Sequence, residues 1–233
     1  MTGTHGSFVP LVSQDGKGDT VGQFLVGGHG IVLDEPETLQ WYATKYVDST
    51  PEQFAIFDAF PHEEGRGAHF SGAIPAALME HAPNMLSEGP DINKIMVEVL
   101  ASKVTKVAEG PKSGLTVGIR VLFTAKPEKK EAVKNFLTVS SKITFPLRDA
   151  DSMNYIQSSL PLVKGEANTA AWYAIHFHGS DNFGIVAFFA TEEAKEAHLK
   201  DKVATAFLAS ADENLVGAPD LVKLEVLAAK VVA

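Results

Sequence analysis

The sequence predicts an α+β protein made of two tandem units, each with the element order βαββαβ, that pack sheet to sheet within one chain. Two observations lead to this prediction. A long stretch of the chain occurs twice, and the hydrophobic period changes between 2 and 3.6 in the same order within each copy. A length of 233 residues provides room for two such units, each large enough to bury a core.

The repeat is clearest around two tryptophans. WYATKYVDSTPEQFAIFDAF begins at Trp41, and WYAIHFHGSDNFGIVAFF begins at Trp172. Both copies continue into a Glu-Glu pair and end on Ala-His, at His69 and at His198. Because chance does not hold register over so long a stretch, we divide the chain into a first unit (1–104), a linker (105–114) and a second unit (115–233) with an insertion around 138–158.

The second unit shows the element order most clearly. GLTVGIRVLFTA is strand-like, and PEKKEAVKNFL predicts a helix that begins at Pro127. TAAWYAIHFH and NFGIVAFFA flank turn residues and predict an antiparallel hairpin. Thr191 then caps a helix with acidic residues in its first turn, and LVKLEVLAAKV is a final strand.

This order is the ferredoxin-like, or split βαβ, arrangement. A four-stranded sheet with both helices on one side leaves its other face bare, and that face must be covered. We therefore expect the two bare faces to meet within the chain and to form a barrel with a cavity inside. The insertion, Thr138 to Ser158, is predicted to lie near the mouth of the cavity in the second unit.

Composition excludes several classes of function. The net charge is −9 with three arginines, so a phosphate backbone is repelled and nucleic-acid binding is not expected. The absence of cysteine excludes disulfides, thiolate metal sites and thiol nucleophiles. No apolar run reaches the 18 or so residues of a membrane span. We expect a cytoplasmic protein without a membrane partner.

The strand-turn-strand-helix signature that ends in E-E-x-x-x-A-H resembles the antibiotic biosynthesis monooxygenase family of the dimeric α/β-barrel superfamily. The resemblance covers nearly the whole chain. Members usually form the barrel from two chains, so it implies a tandem fusion that is a monomer or dimerises through an outer face. VGQFLVGGHGIVLD departs from the family, because this glycine-rich stretch stands in place of the long first helix and predicts that one pocket is degraded.

The resemblance implies a monooxygenase that needs no cofactor and acts on a small aromatic or polyketide-like molecule. A phenol or enol would be deprotonated and the anion would reduce O2 directly, in a dry cavity that supplies a base and hydrogen-bond donors. Two alternatives stay open: a non-oxidative cyclase, isomerase or lyase in the same barrel, and a ligand-binding or stress-associated barrel protein without turnover.

Strand alternation supplies the candidate site residues. Trp172, His176 and His178 share one side of their strand, and the uniformly apolar other side is expected to meet the helices. We therefore predict that these three residues point into the barrel or lie at its mouth, with His176 and His178 catalytic. Lys45 stands where the second copy has His176, and an ammonium does not titrate near neutral pH, so the second unit is predicted to hold the site. The predicted substrate-binding residues are Trp172, Phe183, Trp41, Lys45, His198, His69 and Tyr155.

The remaining histidine interpretations concern cofactors. His176-x-His178 has the spacing of a metal-binding strand pair, with His198 as a third ligand, and His69 or His198 could hold a haem iron. Solvation of the strand-end pair, and a packing or capping role for His69 and His198, are the simpler interpretations. GGHG at 27–30 lacks the further glycine and the acid spacing of a dinucleotide site. We predict no metal and no cofactor.

Overall fold

The described residues of the first unit form four strands and three helices. The computed structural model describes residues 3–91, 95–138, 143–144, 155–156 and 163–233. The elements of the first unit are β1 (His5–Val12), α1 (Gly18–Val32), β2 (Gln40–Tyr46), β3 (Gln53–Phe60), α2 (Glu63–Phe70), α3 (Ala73–Met85) and β4 (Met96–Val104).

The second unit repeats this order. Its elements are β5 (Val117–Thr124), a 3-10 turn (Pro127–Lys129), α4 (Lys130–Thr138), the short pair β6 (Ile143–Thr144) and β7 (Tyr155–Ile156), β8 (Ala171–Phe177), β9 (Asn182–Phe189), α5 (Glu192–Lys200), α6 (Lys202–Asn214) and β10 (Asp220–Val231). The predicted strands, hairpin and first helix of this unit are confirmed. Thr191 caps α5 as expected, since its hydroxyl accepts from the Ala194 amide at 3.3 Å. Most of the insertion lies outside the described residues.

Eight strands form one closed barrel in the order β1-β3-β2-β10-β5-β9-β8-β4. Each unit contributes four adjacent strands, and the two sheets join through the pairs β2·β10 and β4·β8. Both joins carry a bulge at the same place in the repeat, at Leu100 and at Leu227. The predicted fold class, two ferredoxin-like units in an intramolecular dimeric α/β barrel, is confirmed. The unit boundaries stay a prediction.

Aromatic side chains from both units fill the inside of the barrel. The hydroxyls of Tyr42 and Tyr173, which are equivalent in the repeat, lie 2.8 Å apart and are fully buried. The Tyr42 ring stacks on Phe188 at 3.9 Å, and Phe57 packs edge-on against Tyr173 at 4.7 Å. The prediction of a ligand cavity inside the barrel is therefore wrong. The aromatic side chains of the two inner faces pack against each other and fill this space.

The predicted faces of the strands are reversed. Trp172 and Ala174 pack in the cluster between the second sheet and its helices, whereas Tyr173 and Ile175 belong to the barrel interior. Trp41 likewise packs under the helices of the first unit. Alternation separates two faces without saying which is which, and here the barrel interior and the helix-covered layer are both apolar. The assignment of the more uniform face to the helices was therefore wrong.

The glycine-rich stretch of the first unit forms a helix after all. Val21, Leu25 and Val32 of α1 are buried, and this apolar stripe outweighs the low helix propensity of glycine. The predicted second helix of each unit is in fact two helices, α2 and α3 or α5 and α6. In the part of the chain that the structure describes, no helix is long and apolar enough to cross a membrane.

Candidate active site

A cavity of about 310 Å³ lies between the first sheet and helices α2 and α3. Its walls are mainly apolar, and its titratable side chains are Asp58 and His69. The cavity reaches the surface beside the exposed residues Ser71 and Met79. Its lining residues are Val9, Ile56, Asp58, His69, Phe70, Ser71, Gly72, Ile74, Pro75, Ala76, Leu78, Met79, Pro90 and Ile95.

Asp58 presents a carboxylate from the middle of β3 to this cavity. The side chain is 1% exposed, and its Oδ1 accepts from the Ser7 amide at 2.9 Å and from the Ser7 hydroxyl at 2.6 Å. Its Oδ2 lies 3.6 Å from Nε2 of His69. Burial raises the pKa of Asp58, because the charged form is poorly solvated there. One carboxylate oxygen is thus occupied by Ser7, while the other faces His69.

His69 stands on α2 with both ring nitrogens beside carboxylates. Its Nδ1 donates to Oε2 of Glu35 at 2.6 Å, and the ring packs between Phe60 and Phe70. Burial alone would lower the pKa of His69. The hydrogen bond to Glu35 and the charges of Asp58 and Glu35 outweigh burial and raise this pKa above its ordinary value. The ring of His69 is therefore protonated more readily than that of an exposed histidine, and each of its nitrogens faces a carboxyl group.

Glu35 is held in place by donors from three elements. Besides His69, the Thr38 hydroxyl donates to its Oε2 at 2.6 Å, and Lys230 of β10 donates to its backbone carbonyl at 2.5 Å. Burial alone would raise the pKa of Glu35, but the hydrogen bonds from His69 and Thr38 and the charges of His69 and Lys230 lower it. His69 thus lies between the two carboxyl groups, and the charge of Lys230 adds to its effect on Glu35.

The second unit contains the same arrangement of histidine, glutamate and threonine, but it has no counterpart of Asp58. Glu166 accepts from His198 Nδ1 at 2.6 Å and from the Thr169 hydroxyl at 2.5 Å, as Glu35 does in the first unit. Strand register places Ala187 at the position of Asp58 and Ile119 at that of Ser7. Phe207 occupies the place in α6 that Leu78 has in α3. The ring of Phe207 packs 4.8 Å from Phe123, in the layer that is a cavity in the first unit.

The two predicted catalytic histidines lie at the end of β8, away from this cavity. His176 has its Nε2 2.9 Å from the Ser180 carbonyl, and its ring stacks on Phe183 at 4.6 Å. His178 lies in the turn that follows, and partial burial together with the charge of Arg66 lowers its pKa. Phe183 lines a separate cleft of about 440 Å³. The predicted orientation of His176 toward the barrel interior is wrong, because it shares the outer face of β8 with Trp172.

The structure places the other predicted site residues in several separate environments. Trp41 and Trp172 are fully buried under the helices, and neither indole nitrogen has a hydrogen-bond partner among the described residues. Lys45 pairs with Glu52 and lines a surface cleft of about 400 Å³ beside α1. Tyr155 belongs to β7, but its side chain lies outside the described part. Of the predicted residues, His69 is the one that lines the cavity with Asp58.

Sequence reasoning missed Asp58, Glu35 and Lys230. Signals for two of them were present. Asp58 interrupts the apolar strand QFAIFDAF where the second copy has alanine, and Glu35 and Thr38 recur as Glu166 and Thr169. A carboxylate that stands alone in a buried strand is a candidate functional group. Within the described ranges, no group of three or more His, Asp or Glu side chains is arranged to hold a metal ion.

Comparison with known proteins supports the fold. No family model matches the chain, and no curated protein matches it. A "putative monooxygenase" of Fusobacterium nucleatum superimposes with a TM-score of 0.77 at 10% identity, covering 98% of this chain and 94% of that one. A "putative monooxygenase" of Lactobacillus acidophilus gives 0.70 at 10% identity, covering 100% and 98%.

An "anthrone oxidase-like protein" also superimposes on this chain. Its TM-score is 0.57 at 11% identity, and the match covers 99% of this chain and 94% of that chain. The resemblance drawn from the sequence is thus confirmed at the level of the fold.

Proposed function

We propose that the chain is a member of the antibiotic biosynthesis monooxygenase family and oxidises a small aromatic or polyketide-like molecule with O2 and no cofactor. The reaction takes place in the cavity of the first unit, not in the second unit or inside the barrel. One observation carries this proposal. A buried carboxylate and a buried imidazole, Asp58 and His69, face each other at the wall of an otherwise apolar cavity.

The pair is suited to removing a proton from a weak acid. Asp58 accepts the proton of a phenol or an activated CH2 group on Oδ2, the oxygen that Ser7 leaves free. Its raised pKa makes the carboxylate a stronger base than an exposed aspartate. The Nε2–H of the His69 imidazolium then stabilises the phenolate or enolate, while Glu35 holds the other ring nitrogen.

Oxygen is the second reactant. The substrate anion passes one electron to O2, the two radicals combine, and loss of water leaves a carbonyl. The overall change is CH2 + O2 → C=O + H2O, in which the substrate supplies all four electrons. Apolar side chains such as Ile56, Ile74 and Leu78 keep the anion away from water. A cavity of this size is at the lower end for ligand sites and favours a compact substrate.

The test measures oxygen uptake with anthrone-like and quinol substrates. Asp58→Asn keeps an acceptor for Ser7 but removes the base, so turnover should fall by about 10²–10⁴-fold. His69→Asn should have a similar effect. The matched control is His198→Asn, which breaks the equivalent histidine–glutamate pair in the second unit, where Ala187 stands in place of Asp58. This control should retain turnover.

Two results would contradict the proposal. Full oxygen uptake in Asp58→Asn would remove the carboxylate from the reaction, and loss of activity in His198→Asn alone would move the site to the second unit. Substrate hydrogen exchange with solvent that depends on Asp58 but consumes no O2 would instead support the non-oxidative alternative.

A further inference from the structure

Two lysines cross from one unit into the other at equivalent places. Lys230, on β10 of the second unit, donates to the carbonyls of Val32 and Glu35 in the first unit at 2.9 and 2.5 Å. Lys103, on β4 of the first unit, donates to the carbonyls of Val163 and Glu166 in the second, the former at 3.0 Å. Each lysine therefore binds the segment that carries the glutamate partner of the other unit's histidine.

Lys230 contacts the C-terminal end of α1 in the first unit. Val32 is the last residue of α1, and its carbonyl accepts from the Glu35 amide at 3.1 Å as well as from Lys230. An ammonium at a helix C-terminus gives such a carbonyl a charged donor and interacts favourably with the helix dipole. The residue is 8% exposed, and burial lowers its pKa. A lysine is costly to bury without several acceptors, so this contact fixes the end of α1 and the loop after it.

The contact reaches the acid–base pair through one residue. Lys230 holds the backbone of Glu35, and the Glu35 carboxylate accepts from Nδ1 of His69 at 2.6 Å. The other nitrogen of His69 faces Asp58 at 3.6 Å. A shift of the Glu35 backbone would release the imidazole from the orientation in which both contacts are made.

We propose that Lys230 is a positioning residue for the site in the first unit: by anchoring Glu35 it fixes the ring of His69 against Asp58, so the site is completed by a side chain from the other unit. The role of this geometry in turnover rests on the proposed function. The orientation of the imidazole does not, and it can be measured without a substrate.

The direction in which the pKa of His69 changes when Lys230 is replaced distinguishes a positioning role from a direct effect of the lysine charge. The charged groups that face His69 are Glu35 from the loop after α1, Asp58 from β3 and Lys230 from β10. The positive charge of Lys230 by itself lowers the pKa of His69, so removing the charge alone would raise it. If Lys230 positions Glu35, its loss weakens the hydrogen bond that raises this pKa, and the pKa falls.

The experiment titrates the His69 ring protons by NMR in the wild-type chain, in Lys230→Met and in Lys103→Met. We expect the pKa of His69 to fall by about 0.5 to 1 pH unit in Lys230→Met, the size of one weakened hydrogen bond to a charged partner. Lys103→Met removes the equivalent lysine and should leave the titration of His69 unchanged. An unchanged or raised pKa of His69 in Lys230→Met, or the same fall in Lys103→Met, would overturn the proposal.

A second variant covers the case in which Lys230→Met does not fold. Lys230→Gln keeps a neutral donor on a shorter side chain, and the same directions apply to it. The oxygen-uptake assay is run on the same samples. Absence of turnover in the wild-type chain would defeat the proposed function and leave the titration result standing, while normal turnover with a raised pKa would defeat the positioning role alone.

Discussion

Filling the cavity of the first unit tests directly whether the ligand binds there. The substitution is Leu78→Phe, and the second unit supplies its precedent, because α6 carries Phe207 at this place. That ring packs 4.8 Å from Phe123 and 6.3 Å from Phe136. In the first unit the position of Phe123 is held by Leu11, so a phenylalanine at position 78 would extend into the cavity of about 310 Å³.

The magnitude follows from the atoms added. Phenylalanine has three more side-chain carbons than leucine, and at ~0.8 kcal/mol for each buried carbon the upper limit is about 2.4 kcal/mol. Imperfect fit reduces this figure, although less than in a filled core, because the cavity can accept a ring. We expect a net stabilisation of about 0.5–2 kcal/mol. For a chain of this length, each kcal/mol corresponds to an increase in Tm of about 2–4 °C.

Thermal unfolding and oxygen uptake are measured on the same preparation. Leu78→Phe should raise Tm and abolish turnover together, since the ring takes the place of the substrate. The control is Phe207→Leu, which removes three carbons from the filled layer of the second unit. It should lower stability by about 2.4 kcal/mol or more, because the cavity left behind adds to the lost transfer free energy, and it should keep turnover. Unimpaired turnover in a stabilised Leu78→Phe variant would refute the assignment of the cavity as the ligand site.

Three further predictions concern the fold. Asp58→Asn should be more stable than the wild type at neutral pH. Burial raises the pKa of Asp58 in the folded state, so ionisation of Asp58 lowers the stability of the wild type as the pH rises above about 3.9, the pKa of aspartate in the unfolded chain. Urea unfolding from pH 4 to 8 should show this advantage growing with pH, and a constant difference would contradict it. Tyr42→Phe or Tyr173→Phe should each cost about 1–3 kcal/mol, because one hydroxyl loses its buried partner, whereas the double variant should cost much less than the sum. The chain should run as a monomer of 24.9 kDa in light scattering, since both halves of the barrel are already present, and a dimer joined through the sheets would contradict this.

The repeat and its changing hydrophobic period determined the architecture. They predicted two βαββαβ units, the hairpins and the pairing of the two sheets within one chain, because these features depend on local patterns and on the need to cover an apolar face. The asymmetry of the two units was also visible in the sequence. The sequence prediction located this asymmetry at Lys45 and His176. The structure locates it at Asp58, which lines the cavity and is replaced by Ala187 in the second unit.

The tertiary structure alone decided which face of each strand lines the barrel and where the acid–base pair lies. Alternation distinguishes two faces but cannot orient them when both are apolar, as with Trp172 and Tyr173 on β8. The site joins Asp58 of β3 and His69 of α2 to Glu35, whose anchor Lys230 is 195 residues away in the sequence. No local pattern encodes a contact between a lysine at the end of the last strand and a loop of the first unit, because only closure of the barrel brings β10 beside β2.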